Sequence, residues 1–225
     1  MNEIAQPIDT LFINCRAATM ADSAFSSIDR AAIAVSGGCI AWVGKEMDFP
    51  ADLKNRCQKQ IDCNNAWVLP GFIDCHTHTV FAGSRSHEFE MRLQGVTYEE
   101  IALKGGGILS TVTATRNASH RQLYQAAAKR IRHFMNQGTT CLEIKTGYGL
   151  DLATELKMLE VIDQLNRDFP ISIIATFLGA HTLPLEYRSD SDGYIAHVIE
   201  TMLPEVKKQG VAQAVDVFCE NIAFS

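Results

Sequence analysis

The sequence has no apolar run long enough to cross a bilayer. Its longest, such as Ile171–Leu178, fall far short of the ~20 residues a spanning helix needs. The opening MNEIAQPIDT lacks the basic start and apolar core of a secretory signal. No C-x-x-C occurs among Cys15, Cys39, Cys57, Cys63, Cys75, Cys141 and Cys219, and their number is odd and their spacing irregular. A disulfide framework or zinc knuckle is therefore a poor reading; reduced cysteines in a cytoplasmic protein are the expectation. No basic stripe is present: 26 acidic and 20 basic residues are interspersed, for a net charge of −6. Neither nucleic acid nor a membrane is an expected partner. An acidic balance does not exclude an anionic substrate, because local charge decides that. No internal repeat and no low-complexity segment interrupts the chain.

What is present is an ordinary globular composition, 47% hydrophobic and 20% charged over 225 residues. Residues 1–66 read as a small β domain. Leu11–Cys15 is a short strand, and Ala31–Val35 and Ile40–Val43 flank Gly37-Gly38, which can take the positive φ of a tight hairpin. Asp48–Asn55 reads as a connecting loop. From residue 67 the pattern becomes strand, loop, helix, repeated. Strands are expected at Trp67–Asp74, Thr140–Lys145, Ile171–Leu178 and Ala214–Cys219, all short and apolar as in sheets buried on both faces. One helix should begin at Ser119, where Ser119-x-x-Gln122 forms a capping box, and stop at Gly138. A second should run from Asp151 to Arg167. A third should run from Asp192 to Lys208, kinked or split by Pro204. Alternating strands and helices imply a parallel sheet, whose carboxyl ends carry the chemistry in such folds.

Every chemically suggestive residue falls at such an end. His76-Thr77-His78 closes the strand opened by Pro70-Gly71. Residues i and i+2 of a strand share a side, so the two imidazoles leave it together and can chelate one metal ion. Neutral imidazole suits zinc and iron alike. A bare H-x-H also arises by chance; the strand in front of it favours the metal. Arg85 follows in the same loop; a guanidinium matches a carboxylate as a bidentate fork, although a solvated surface arginine is the commoner fate. Tyr148 stands between Gly147 and Gly149 after the second strand, either in a substrate loop or in a turn. Glu143 and Lys145 alternate on that strand and should form an ion pair. Gly105-Gly106-Gly107 offers backbone N–H groups for an anion, or a flexible loop. His181 ends the third strand. Glu220 follows the fourth, in a metal-adjacent or structural role.

PGFIDCHTH resembles the first-strand metal motif of the amidohydrolase superfamily, in which a small β domain also precedes the barrel. The stretch from Phe81 to Arg116, with CLEIKTGYGLD, TFLGAHTLP and VDVFCENIAFS, resembles imidazolonepropionases in particular. The resemblance covers essentially everything from residue 67. It implies an α/β fold: the first half of a (β/α)₈ TIM barrel in residues 67–225, truncated after four β/α units. Ahead of it, residues 1–66 would form part of a small β-sandwich completed by C-terminal strands. It implies one metal ion, zinc or iron, held by His76 and His78, and a substrate carrying a carboxylate, bound by Arg85, Tyr148 and His181. The single-metal type excludes a carbamylated Lys145. The implied reaction opens 4-imidazolone-5-propanoate to N-formimidoyl-L-glutamate in histidine degradation. The remaining ligands and the catalytic acid/base groups are expected on later strands, so this chain alone should be inactive. The resemblance allows a homodimer for the complete enzyme. Hydrolysis of another cyclic amide or amidine, as in a nucleobase deaminase, and a non-catalytic half-barrel stay open as alternatives.

Overall fold

A computed structural model describes residues 7–21, 25–97, 100, 106–220 and 224. The chain divides into two compact units, Met1–Pro70 and Gly71–Ser225. The first is a mixed five-stranded sheet of β1 (Thr10–Ala18), β2 (Ser27–Ser36), β3 (Cys39–Lys45), β4 (Lys59–Asp62) and β5 (Trp67–Val68), in the order β3-β2-β1-β4 with β5 also on β1. Gly37 and Gly38, at φ 57° and 78°, make the two-residue hairpin turn that brings Ser36 opposite Cys39. The alternation of β2 sends Ala32 and Ala34 to one face, with Leu11 and Phe49, and Ala31 and Ile33 to the other, with Cys15 and Ala17. The expected loop at 48–55 contains a short helix, α1 (Ala51–Lys54).

The expected strand Trp67–Asp74 is two strands. Trp67 and Val68 pair in parallel with Arg16 and Ala17 of β1. Pro70 has no N–H to donate and breaks the ladder. Pairing resumes at β6 (Phe72–Thr77) in a different sheet.

The second unit is built on a four-stranded parallel sheet of β6, β7 (Thr139–Lys145), β8 (Ser172–Ala180) and β9 (Ala214–Val217), in sequential order. Sequential parallel strands linked through helices are the arrangement of the first four units of a (β/α)₈ barrel. One face is covered by α3 (Ile108–Asn117), α4 (His120–Asn136) and α5 (Leu152–Asp168), and by the run α6 (Ser191–His197), a π-helical turn (Val198–Met202) and α7 (Leu203–Gln209). Leu142, Ile144, Ile173, Ala175 and Phe177 of the sheet pack there against Leu123, Ile131, Leu159, Ile162 and Tyr194.

Both arms of the Ser119–Gln122 capping box form, and the helix terminates just before Gly138, at φ 90°. Asp151 caps α5. Pro204 sits at the start of α7, directly after the π turn, so the expected helix is split there. Among the described residues, two further helices were not anticipated: α2 (Ser86–Leu93) and α3. The latter, ILSTVTATRN, is rich in β-branched residues and helical against its propensity, because its turns bury Val112 and Thr115.

Candidate active site

The chemistry gathers on the sheet face turned away from the helices. Ile73 pairs with Cys141 and Asp74 with Leu142, but the next partner of β7, Ile144, meets Thr77. One extra residue in β6, at Cys75–His76, is a bulge. It shifts the alternation, so that His76 and His78 fall in register with Glu143 and Lys145 of the inner face. Their rings lie 5.9 Å apart. Thr77 between them points the other way, is buried, and bonds the Glu143 carbonyl through its hydroxyl at 2.6 Å.

The segment after β7 reaches back to these rings. His78 Nδ1 lies 3.1 Å from the Thr146 carbonyl and His181 Nδ1 2.8 Å from the Gly147 carbonyl. A carbonyl only accepts, so each ring carries its proton on Nδ1 and leaves Nε2 as a lone pair. The two imidazoles stack at 4.7 Å with 7° between planes. Burial, with His181 alongside, pushes the His78 pKa down to about 4; burial also lowers that of His181. Both rings are therefore neutral at pH 7. For His78 this is the metal-ligating form, with the second-nitrogen hydrogen bond that fixes a ligand ring. For His181 the same tautomer leaves Nε2 as a hydrogen-bond acceptor.

Tyr148 completes the cluster, 5.1 Å from His78 and 5.3 Å from His181 by ring centroids. On its other side it lines a cavity of about 330 Å³ with Phe81, Gly83, Ser84, Arg85, Thr111 and Arg130. Arg85 is exposed at the N-terminus of α2. Burial raises the Tyr148 pKa, and the Arg85 charge opposes it. Arg130, from α4, donates to the carbonyls of Thr79 and Phe81 and lies 3.7 Å over the Phe81 ring, fastening the loop that carries His78.

Below the rings, Lys145 Nζ is 2.9 Å from both Glu143 Oε1 and Asp216 Oδ2 of β9, and Thr176 donates to Glu143 Oε1 at 2.6 Å. The Glu143–Lys145 pair expected from the alternation thus forms, but Asp216 and Thr176 were missed. Nothing in an isolated VDV or ATF distinguishes them until the sheet sets the strands side by side. Glu143 Oε2 is buried without a hydrogen-bond partner among the described residues.

Among the described residues no group of three or more His, Cys, Asp or Glu is placed to hold a metal. His76 and His78 alone present two nitrogen ligands, a donor set that fits zinc or iron but fills half of a four-coordinate site. Gly107 N–H is taken by the buried Glu88 of α2 at 3.0 Å, so it is not free for an anion; Gly105 lies outside the described residues. Glu220 is exposed. All seven cysteines are free, and no described helix is long and apolar enough to cross a membrane.

No protein-family model matches the chain. It is 52% identical over 215 residues to the imidazolonepropionase of Acinetobacter baumannii strain ATCC 17978, a match covering 96% of this chain and 53% of that protein. It is 51% identical over 217 residues to the imidazolonepropionase of Pseudomonas putida strain KT2440, with the same coverage. The chain spans about half the length of the curated relatives it matches. Over 96% of its own length it is homologous to imidazolonepropionases, along their N-terminal part. Among solved structures, a triazine hydrolase variant superposes with a TM-score of 0.63 at 18% identity, over 96% of this chain and 47% of that one. Atrazine chlorohydrolase from Arthrobacter aurescens TC1, complexed with zinc, gives 0.56 at 15% identity, over 96% and 48%. At these identities the structures establish the fold alone, a parallel half-barrel sheet with a separate mixed sheet.

Proposed function

We propose that this chain supplies the N-terminal half of an imidazolonepropionase active site. The whole enzyme would use water to open 4-imidazolone-5-propanoate to N-formimidoyl-L-glutamate, a cytoplasmic step of histidine degradation. The observation that carries the reading is the stacked pair His78 and His181, each held at Nδ1 by consecutive carbonyls and each offering Nε2, beside a tyrosine that also borders the Arg85 cavity. It sits in a chain half identical to proteins of that name.

His76 and His78 would hold one zinc or iron ion; the zinc in the atrazine chlorohydrolase complex favours zinc, and imidazole accepts either. The chemistry gained with the ion is Lewis acidity toward the ring carbonyl and acidification of water toward neutral pH. Arg85 anchors the substrate's carboxylate with a permanent charge. Tyr148 adds a hydrogen bond between anchor and ring. The Nε2 lone pair of His181 accepts from a ring N–H and so orients the ring. The remaining ligands and the proton-transfer groups would come from the further strands of the whole barrel, and later strands would complete the β domain, whose expected extent is residues 1–66. The substrate is small and carries a carboxylate; a homodimer is the assembly we assign.

The test joins this chain to the part of the Acinetobacter baumannii relative that it does not match. Metal-dependent consumption of 4-imidazolone-5-propanoate by the chimaera, with none by the 225-residue chain alone, is expected. A folded, metal-loaded chimaera that ignores this compound and hydrolyses other cyclic amides or amidines in a panel would replace the reading. Full turnover by the chain alone would refute the half-site argument.

A further inference from the structure

We propose that Glu155, which the reading above does not employ, is a positioning residue. Its buried carboxylate gathers the Thr146–Leu150 loop and thereby fixes the ring plane and tautomer of His78 and His181. The inference rests on that reading for the roles of the two histidines.

Glu155 projects from the first turn of α5 and is 0% exposed. Its Oε1 accepts from the N–H groups of Gly149 at 2.8 Å and Leu150 at 2.9 Å, and its Oε2 from Gly147 N–H at 3.1 Å. A carboxylate this deep is strongly unfavourable unless its oxygens are matched by donors, and here three amides of one short loop, those of Gly147, Gly149 and Leu150, are turned inward to match them. The backbone is shaped for this. Gly147 lies at φ 101° and Leu150 at φ 56°. A Cβ on Gly149 would come 2.8 Å from the Glu155 backbone nitrogen.

Peptide geometry carries the effect outward. The Gly147 N–H and the Thr146 C=O belong to one planar trans unit and point in opposite directions. Drawing that N–H onto Glu155 turns the Thr146 carbonyl away from it, onto His78 Nδ1. The next unit, which bears the Gly147 carbonyl that meets His181, is held between two units pinned to Glu155. Tyr148 rides on the same span. One buried charge therefore sets two ring tautomers through two carbonyls without touching either ring.

Ring-nitrogen NMR of the ¹⁵N-labelled, chelator-treated 225-residue chain at pH 7.5 reads the tautomers, and amide exchange reads the loop. In the wild type, His78 and His181 should both be Nδ1–H, with Gly147, Gly149 and Leu150 protected. Glu155→Gln sets an NH₂ donor against loop amides. With dispersion elsewhere retained, it should release the Nδ1–H restriction and speed exchange of those amides by about tenfold or more, as the loss of a charge-assisted hydrogen bond implies. Unchanged tautomers, with protection within about twofold of wild type, would overturn the proposal, since loss of one such bond should exceed that. If Glu155→Gln does not fold, Glu155→Asp, which keeps the charge but shortens its reach, is held to the same two outcomes. Nε2–H tautomers or unprotected loop amides in the wild type overturn it whatever the variants do. None of these readouts uses metal or substrate, so the inference can fail while imidazolone turnover stands, and the reverse.

Discussion

Replacing Lys145 by Met tests how the inner face is held together. Lys145 is 7% exposed in its side chain and bridges Glu143, 18% exposed, and Asp216, 41% exposed. Asp216 can rehydrate when the lysine goes, so its share is small. Glu143 cannot: it keeps the Thr176 hydroxyl on Oε1, while Oε2 already lacks a partner among the described residues. Stranding one member of a buried pair costs about 3–5 kcal/mol. For a unit of this size that is a fall in Tm of roughly 6–20 °C. The sign of its pH dependence follows from Glu143. Burial pushes its carboxyl up, and the Thr176 and Lys145 hydrogen bonds more than offset this, so its pKa is lowered. Its stabilisation is thus present above the ordinary carboxylate range and lost as pH falls through the depressed value. Without Lys145 burial dominates, the carboxyl protonates more readily, and the deficit of the variant should shrink on acidification. Urea unfolding of wild type, Lys145→Met, and Lys145→Met/Glu143→Leu measures all three. The double variant should recover most of the loss, because it removes the stranded charge. A single-variant cost below about 1 kcal/mol would show that water reaches Glu143 and that the inner face is wet, as for an exposed pair.

His78 carries an acid-side prediction. Its pKa falls from 6.5 to about 4 on folding, so its contribution is present above pH 6.5 and is lost progressively down to about 4. The amount is about 3 kcal/mol by linkage, and His181 shifts in the same direction. His78→Gln should flatten the stability profile between pH 6.5 and 5, and a profile as steep as wild type's there would refute the burial argument. In the chimaera, Arg85→Ala should raise KM by roughly 30-fold, the lower end for a lost carboxylate pair, with metal content unchanged. His181→Ala should instead lower kcat on the order of 10²-fold through a misplaced ring. Equal effects on both constants from both variants would dissolve the division of labour. Gly147→Ala would set a Cβ 2.7 Å from the Leu178 carbonyl and 2.8 Å from His181 Nδ1. It should cost about 2 kcal/mol or more in unfolding free energy, and a neutral result would mean that the loop is not held as described.

Sequence legibility followed how local the physics is. The hairpin at Gly37-Gly38, the Ser119 capping box and the stop at Gly138 are written within a few residues, and each forms. The apolar strands at 140–145 and 171–178 lie within one or two residues of β7 and β8. The failures are tertiary. α2 leaves Phe89 and Leu93 exposed, so its apolar residues give no periodic signal. Trp67–Val68 and Phe72–Thr77 form one apolar run in sequence yet join different sheets. In the site, His76, His78, Arg85, Tyr148 and His181 stand out by chemical type beside glycines or at strand ends. Glu155 does not: a glutamate in the first turn of an amphipathic helix reads as a solvated dipole partner, and only folding shows it wholly buried.

The His76–His78 pair marks where that limit falls. Spacing i, i+2 requires two side chains to share a side of a strand, but it is silent on which side. Ile73 faces inward with Cys141, and unbroken alternation from Ile73 would put Cys75 and Thr77 inward and both histidines among the helices. There two imidazoles would meet Leu142, Ile144 and the apolar faces of α4 and α5. The extra residue at Cys75–His76 reverses that assignment within one strand. Thr77 then turns to the covered face, where its hydroxyl satisfies the Glu143 carbonyl, and both rings turn to the face of Lys145 and Asp216. A bulge weakens the local ladder, and Cys75 and His76 left unpaired opposite Glu143 are that weakening. Deleting Cys75 should therefore strengthen the pairing and still ruin the site, because His76 and His78 would keep their spacing and lose their side.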